Sequence, residues 1–380
     1  MRGSVRKYEG KKGITWSAHY YLGFDEQGKK RYTTKRGFAT RREAESYLAD
    51  ITKSMHQGTY VDPTKETLSD YLTKWIDYKR DSVRQHTIEI YESAIRLHIA
   101  PRLGRTRISE LRPVDLRDLY RHLLRDKGLS KRTVSQIHTI LHDALDRAVK
   151  WELLPRNVTD AVDAPKPERQ RFDVWSLEDV RKFLFSPDVT GNPFFVAFLL
   201  ALTTGMRQGE ILGLRWQDLD LDKSVVHVVR TLTRERGEHV FGPPKSDSGV
   251  RDIPLSSQTV EALKTHRVAQ ARDRLAMGRS YNNQDLVIAR TTGEVMSQPI
   301  LREKFIDLVA KVGIGQIRFH DLRHTHASLL LELGENMKVI QEQLGHSTLS
   351  VTADTYTHLS KTLKDRPAQL LSTAIYGAKK

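Results

Sequence analysis

A chain of 380 residues, 38% of them apolar, is longer than one small core needs, and its formal charge of +15 favours a polyanionic partner over an acidic or neutral one. No run of about 18 apolar residues exists to cross a bilayer, and residues 1–8 lack the apolar stretch of a secretory signal. With no cysteine, disulfide and thiolate chemistry are excluded, and a cytoplasmic protein with no membrane partner is expected.

The charge is uneven. Residues 1–42 hold 12 Lys/Arg against Glu9, Asp25 and Glu26, so +9 of the +15 sits there. Three strands are predicted in this region, from Ser4 to about Lys12, Thr15 to Leu22 and Lys29 to Lys35, with Gly23 to Gly28 as a turn. A helix follows, capped by Thr40 with Glu43 at the reciprocal position and striped by Ala44, Tyr47, Leu48 and Ile51. Residues 1–57 thus read as a small sheet on one helix. Trp16, Tyr20 and Tyr32, with Lys29, Lys30, Arg31, Lys35 and Arg36, suit a sheet laid in a DNA major groove. The aromatics read alternatively as the core of a tiny domain, and for Trp16 and Tyr20 taken singly that is the favoured reading.

A linker, 58–66, precedes a helical domain at 67–155. Helical spacing recurs over Leu68 to Lys79, Arg84 to Leu97, Val114 to Leu124 and Lys131 to Trp151, with Ser69 or Ser130 as caps and Pro101, Gly104, Pro113 and Gly128 as breaks. Arg102, Arg105, Lys131 and Arg132 lie at loops and helix starts, where they either reach phosphates or are merely solvated. A second linker, 156–171, is polar and contains Pro165 and Pro167.

The domain expected at 172–358 opens with a helix capped by Ser176 and an apolar helix from Phe194 to Leu202 that Gly205 interrupts, so that a new helix starts near Arg207. Val225 to Leu232, Val240 to Phe241 and Val250 to Leu255 read as strands of one small sheet. Helices at Thr259 to Met277 and Ile300 to Val312 lead to His320-Asp-Leu-Arg323, which places a cation and an imidazole on one helix face, an arrangement suited to a phosphate. Leu344-Gly-His346 and Tyr356 follow, with Ser347 or Thr348 capping a short helix that presents the tyrosine hydroxyl. The fold class is multidomain α+β: an N-terminal three-stranded sheet with a helix, a helical bundle, and a mainly α domain with a small antiparallel sheet.

Five motifs occur in order: Thr-Gly-Met-Arg207-x-x-Glu210, Pro-Lys245-Ser with Arg251-Asp-Ile-Pro-Leu255, His320-x-x-Arg323, Leu-Gly-His346, and Tyr356. In this they resemble the tyrosine recombinases, and within them the phage and conjugative-transposon integrases. The resemblance implies the DNA breaking-rejoining fold and a site-specific recombinase. Tyr356 would be the nucleophile, Arg207 and Arg323 the phosphate clamp, His320 and His346 the proton and hydrogen-bond partners, and Lys245 the acid for the leaving oxygen. Lys223 and Lys264 are the alternatives to Lys245, and Glu210 would orient its neighbours. The same resemblance implies an arm-type DNA-binding domain at 1–57, core-type DNA binding at 67–155, and a homotetramer on double-stranded DNA. An excision directionality factor and a host DNA-bending protein would be accessory partners, and the tail, 359–380, would dock in cis or in trans.

No cofactor is expected, since a phosphotyrosyl link conserves the phosphodiester energy. His320, His324 and His326 invite a metal reading, but the His-Glu-x-x-His pattern is absent. The competing readings are a type IB-like topoisomerase and a non-catalytic DNA-binding regulator of the same architecture.

Overall fold

The computed structural model describes residues 3–345 except 11–12, 25–26, 58–59, 63, 169–172 and 245. The chain divides into two compact units, residues 1–169 and 170–380.

The first unit begins with an antiparallel meander, β1 (Ser4–Gly10), β2 (Gly13–Phe24) and β3 (Lys30–Phe38), in that spatial order. Helix α1 (Arg41–His56) packs on it, and its first turn is closed by reciprocal bonds between Thr40 and Glu43. Alternation along β2 turns Ala18 and Tyr20 under this helix, both buried, while His19 and Tyr21 meet Tyr32 on the opposite face. Tyr20, expected among the DNA-facing aromatics, is therefore a core residue, its hydroxyl 3.4 Å from those of Tyr47 and Tyr60. Trp16 shares the strand parity of Ala18 and Tyr20 and is half-buried.

The helical bundle comprises α2 (Leu68–Arg80), α3 (Gln85–Ala94), a π-helical turn over Ile95–Ile99, α4 (Ala100–Leu103), α5 (Pro113–Arg125) and α6 (Lys131–Lys150). Its core is the set of periodic apolar positions, with Tyr71, Trp75, Leu116, Leu119, Leu141 and Leu145 buried. Two corrections apply. Thr67, not Ser69, caps α2, because Thr67 Oγ1 accepts from Asp70 N while Ser69 already lies inside the helix. The helix expected to run to Leu97 changes to π geometry at Ile95 and re-forms ahead of Gly104.

In the second unit, α7 (Leu177–Leu184), α8 (Pro187–Thr190), α9 (Phe195–Thr204) and α10 (Gln208–Gly213) come first. Then follow β4 (Leu219–Asp220), β5 (Val225–Val228), β6 (Thr231–Glu235), β7 (Glu238–Gly242) and β8 (Arg251–Pro254). Helices α11 (Ser257–Met277), α12 (Gln298–Val312), α13 (Asp321–Leu333) and α14 (Met337–Leu344) complete it. Helix α9 is apolar all round and accordingly buried all round, packed against α13, α10, α11 and α7. Trp175, Phe183, Phe198, Phe305 and Phe319 pack ring against ring beside it.

The one small sheet expected here is two. β4, β5 and β8 form one, with Val226 facing Ile253, and β6 and β7 form a separate hairpin. The stretch Val225 to Leu232 breaks at Val229 and Arg230, where the Arg230 side chain turns to pair with the buried carboxylate of Asp218. An ion pair thus ends a strand that apolar spacing alone would have continued.

Candidate active site

Helix α9 ends at Gly205, whose φ of 68° lies in the left-handed region. A Cβ there would come within 2.7 Å of both His326 and Leu344, so glycine is required by conformation and by space. Two residues later Arg207 takes the N-cap position of α10, and Glu210 is at N3. The Glu210 carboxylate, 2% exposed, accepts from Arg207 N at 2.9 Å and from its guanidinium at 2.8 Å. This is the reciprocal half of a capping box, with the arginine held by the same carboxylate.

Arg323 lies in the first turn of α13 and is buried. Its Nη1 donates to Gly205 O at 2.7 Å and its Nη2 to Leu344 O at 2.6 Å. Arg251, on β8, donates from Nη2 to Glu210 Oε2 at 2.9 Å, from Nη1 to Gly249 O at 2.9 Å and from Nε to Gln343 O at 2.6 Å. Arg207 Nη2 reaches Gly345 O at 3.2 Å. The last three described carbonyls of the chain, those of residues 343, 344 and 345, are each gripped by a different arginine. Cations at a helix C-terminus face the negative end of its dipole, so the end of α14 gathers them. Three guanidiniums set against one carboxylate give this cluster a net positive charge, the electrostatics of a phosphate site.

Burial pushes the pKa of Glu210 up, but the charge and hydrogen bond of Arg251, with Arg207, outweigh that and leave it below the usual carboxylate range.

His320 caps α13 rather than lying within it, because Arg318, bonded through its backbone and guanidinium to the buried Asp321 carboxylate at 2.8 to 2.9 Å, closes the turn before the helix. The ring remains open to solvent beside a cleft of about 720 Å³ also lined by Gln208, Arg302 and Arg318. Partial desolvation by the surrounding protein, then the Arg323 charge, lowers its pKa. It is neutral near pH 7 and able to accept a proton. His324 stands perpendicular to it at 5.3 Å, and burial lowers the pKa of His324 to about 4. His326 is buried with its Nδ1 2.8 Å from Leu202 O and its Nε2 unpaired, and burial lowers it to about 4 as well. Among the described residues no three ligating side chains converge in a way that would hold a metal ion.

The structure therefore brings together Arg207, Glu210 and Arg323 at the end of α14, with His320 near enough to Arg323 and Arg207 to feel both charges. Lys245, His346 and Tyr356, like the tail, lie outside the described residues; Gly345 and Ser246, beside two of them, are within it. Two residues of the cluster escaped assignment from sequence. Arg251 was visible only as part of a motif, and Asp321 only as the residue after His320. Of the candidate DNA contacts, Lys29, Lys30, Arg36, Arg102, Arg105 and Arg132 are exposed. Arg31 pairs with Asp62, Lys131 with Glu168 at 3.0 Å, and Lys35 Nζ sits 5.7 Å from the Tyr47 ring centre.

Three stretches match family models: residues 190–362 that of the "Phage integrase family", 67–124 that of the "Phage integrase, N-terminal SAM-like domain", and 4–55 that of the "Arm DNA-binding domain". A protein of Caldanaerobacter subterraneus subsp. tengcongensis named "Tyrosine recombinase XerC-like" is 29% identical over 92% of this chain and 94% of its own. The "ICEBs1 integrase" of Bacillus subtilis is 25% identical over 89% and 91%. Among solved structures, the Tn1549 transposon integrase in complex with transposon right end DNA superposes with a TM-score of 0.67 at 24% identity, covering 80% of this chain and 99% of that one. That likeness is one of fold.

Proposed function

The chain belongs to the phage integrase family, the tyrosine recombinases, and from that premise we propose that it is a site-specific DNA recombinase that integrates or excises a mobile element. The observation that carries the reading is the convergence of Arg207 and Arg323, from distant parts of the chain, on the carbonyls of Leu344 and Gly345, immediately before His346.

In this reading the Tyr356 oxygen attacks the scissile phosphorus of double-stranded DNA. A bond forms from the tyrosine oxygen to phosphorus, and the bond from phosphorus to the 5′-oxygen breaks. The tyrosine proton passes to a base, for which neutral His320 is suited, and Lys245 donates a proton to the departing 5′-oxygen. Arg207 and Arg323 neutralise the non-bridging oxygens of the pentavalent transition state with donors already in place. A 5′-hydroxyl of the partner strand then reverses the chemistry, and two such rounds exchange strands through a Holliday junction.

Residues 1–57 bind arm-type DNA sites, 67–155 bind core-type DNA, 172–358 form the catalytic domain, and 359–380 docks in cis or on the next protomer of a tetramer. The setting is the bacterial cytoplasm, on DNA, with a directionality factor and a DNA-bending protein as accessory partners. The exposed basic residues of β3 and the stacked Tyr32 and His19 support the arm assignment.

The test uses DNA repeats found at the element's ends, placed on two plasmids. Strand exchange by the parent, lost in Tyr356→Phe with DNA binding retained, supports the reading. Relaxation without exchange would favour a topoisomerase, and binding without any covalent adduct a regulator.

A further inference from the structure

Arg251 lies outside the set of residues that would touch the phosphate, yet it is bonded to three segments that adjoin members of that set. Its side chain is 7% exposed, and its three donor nitrogens serve three separate segments: Glu210 on α10, Gly249 in the loop before β8, and Gln343 at the end of α14. Each segment leads to a residue of the proposed mechanism. Glu210 holds both the backbone and the guanidinium of Arg207. Gln343 is followed by Leu344, Gly345 and His346.

The third connection runs through packing to Pro244. Gly249 lies so close to Pro244, the residue before Lys245, that a Cβ at 249 would sit 2.5 Å from the Pro244 Cβ. The turn after Lys245 is closed by Gly249 N donating to Ser246 O at 2.8 Å. The same turn touches the third segment, since a Cβ on Gly345 would lie 2.6 Å from Ser248 O and 3.2 Å from Arg251 Nη1. With φ at 64°, Gly345 meets the requirement of that approach.

We propose that Arg251 is a positioning residue, a side chain that holds the Arg207–Glu210 pair, the turn at Ser246–Gly249 and the end of α14 in one arrangement. This rests on the recombinase reading above. A guanidinium is needed because three acceptors from three segments match its planar fork, whereas an ammonium is a single point at the end of a flexible stem. A merely structural ion pair to Glu210 would be satisfied by either cation.

The experiment is single-turnover cleavage by the full chain at saturating nicked suicide DNA, with the ordinary phosphate and with sulfur replacing the bridging 5′-oxygen. A departing thiolate, whose conjugate acid has a pKa of about 8.5, needs no proton donor. Arg251→Lys and Arg251→Gln are expected to bind DNA as the parent does and to cleave the oxygen substrate about 100-fold more slowly, the loss typical of misplacement by about 1 Å. Sulfur is expected to restore about tenfold, the share belonging to the Lys245 loop. The remainder, belonging to Arg207 and His346, persists.

Arg251→Lys keeps the charge beside Glu210, so it decides the matter if Arg251→Gln does not fold. Parent-like rates in Arg251→Lys, or an equal loss on both substrates, overturns the proposal. Lys245→Ala is the control for the underlying reading. If sulfur does not rescue it, the general-acid assignment fails, and Arg251 is judged on the oxygen substrate alone, where parent-like cleavage overturns it.

Discussion

Glu210→Gln removes one oxygen and one charge from the centre of the arginine cluster. The carboxylate accepts three bonds, two at Oε2 from Arg207 N and Arg251 Nη2, and one at Oε1 from Arg207 Nη1. The amide of glutamine offers a single acceptor oxygen. Whichever way it is turned, its NH₂ faces a guanidinium. Removing one partner of a buried ion pair costs roughly 3–5 kcal/mol, because the remaining charges stay desolvated. In a unit of about 200 residues, each kcal/mol shifts Tm by about 2–4 °C, so a fall of about 6–20 °C is expected. Arg207 is also released from its fork, and cleavage by a site missing one oriented donor falls about 100-fold. Differential scanning calorimetry and single-turnover adduct formation read the two effects. A Tm within 2 °C of the parent together with an unchanged rate would refute the reasoning that Glu210 holds the cluster.

Other consequences are equally direct. Arg207→Lys and Arg323→Lys are expected to lower cleavage by about 100-fold or more each with DNA affinity little changed, measured as covalent adduct per minute; parent-like cleavage in both would place the phosphate elsewhere. Gly205→Ala forces a Cβ into His326 and Leu344 at a φ of 68°, and a loss of about 3 kcal/mol in denaturant unfolding is expected. For pH, His324 and His326 have folded-state pKa values of about 4 against about 6.5 unfolded. Between those values the unfolded chain binds protons that the folded chain does not, so stability falls as pH drops from about 6.5 towards 4. Glu210, with its lowered pKa, adds to the loss only below its unfolded value, near pH 4.5. A Tm that stays flat from pH 7 to 4.5 would contradict the histidine assignment.

The architecture was legible where local spacing carries it. The all-apolar helix α9, its stop at Gly205 and the restart at Arg207 follow from composition and a left-handed cap. The Arg207 and Glu210 pairing follows from the N-cap to N3 spacing. What was not legible depends on contacts between distant segments. Nothing near Arg251 in the sequence announces that its side chain spans Glu210, Gly249 and Gln343, and nothing near Arg230 announces Asp218, whose pairing ends β5 early. Which of the two readings holds for Tyr20 depends on something simpler: one strand supplies aromatics to both faces, and only the docking of α1 shows which face is covered. The choice of Thr67 over Ser69 turns on two residues of helix start, less than local propensity resolves.

The arginine cluster at the end of α14 is proposed to serve a nucleophile at Tyr356. The most direct test is to trap the full chain on a nicked suicide duplex carrying its own site, digest the adduct with protease and nuclease, and identify the peptide bearing the nucleotide by mass spectrometry. A 3′-phosphonucleotide is expected on the peptide containing Tyr356, and its disappearance in Tyr356→Phe. A nucleotide on Tyr281, Tyr376 or any other residue, or cleavage with no covalent adduct at all, would contradict it.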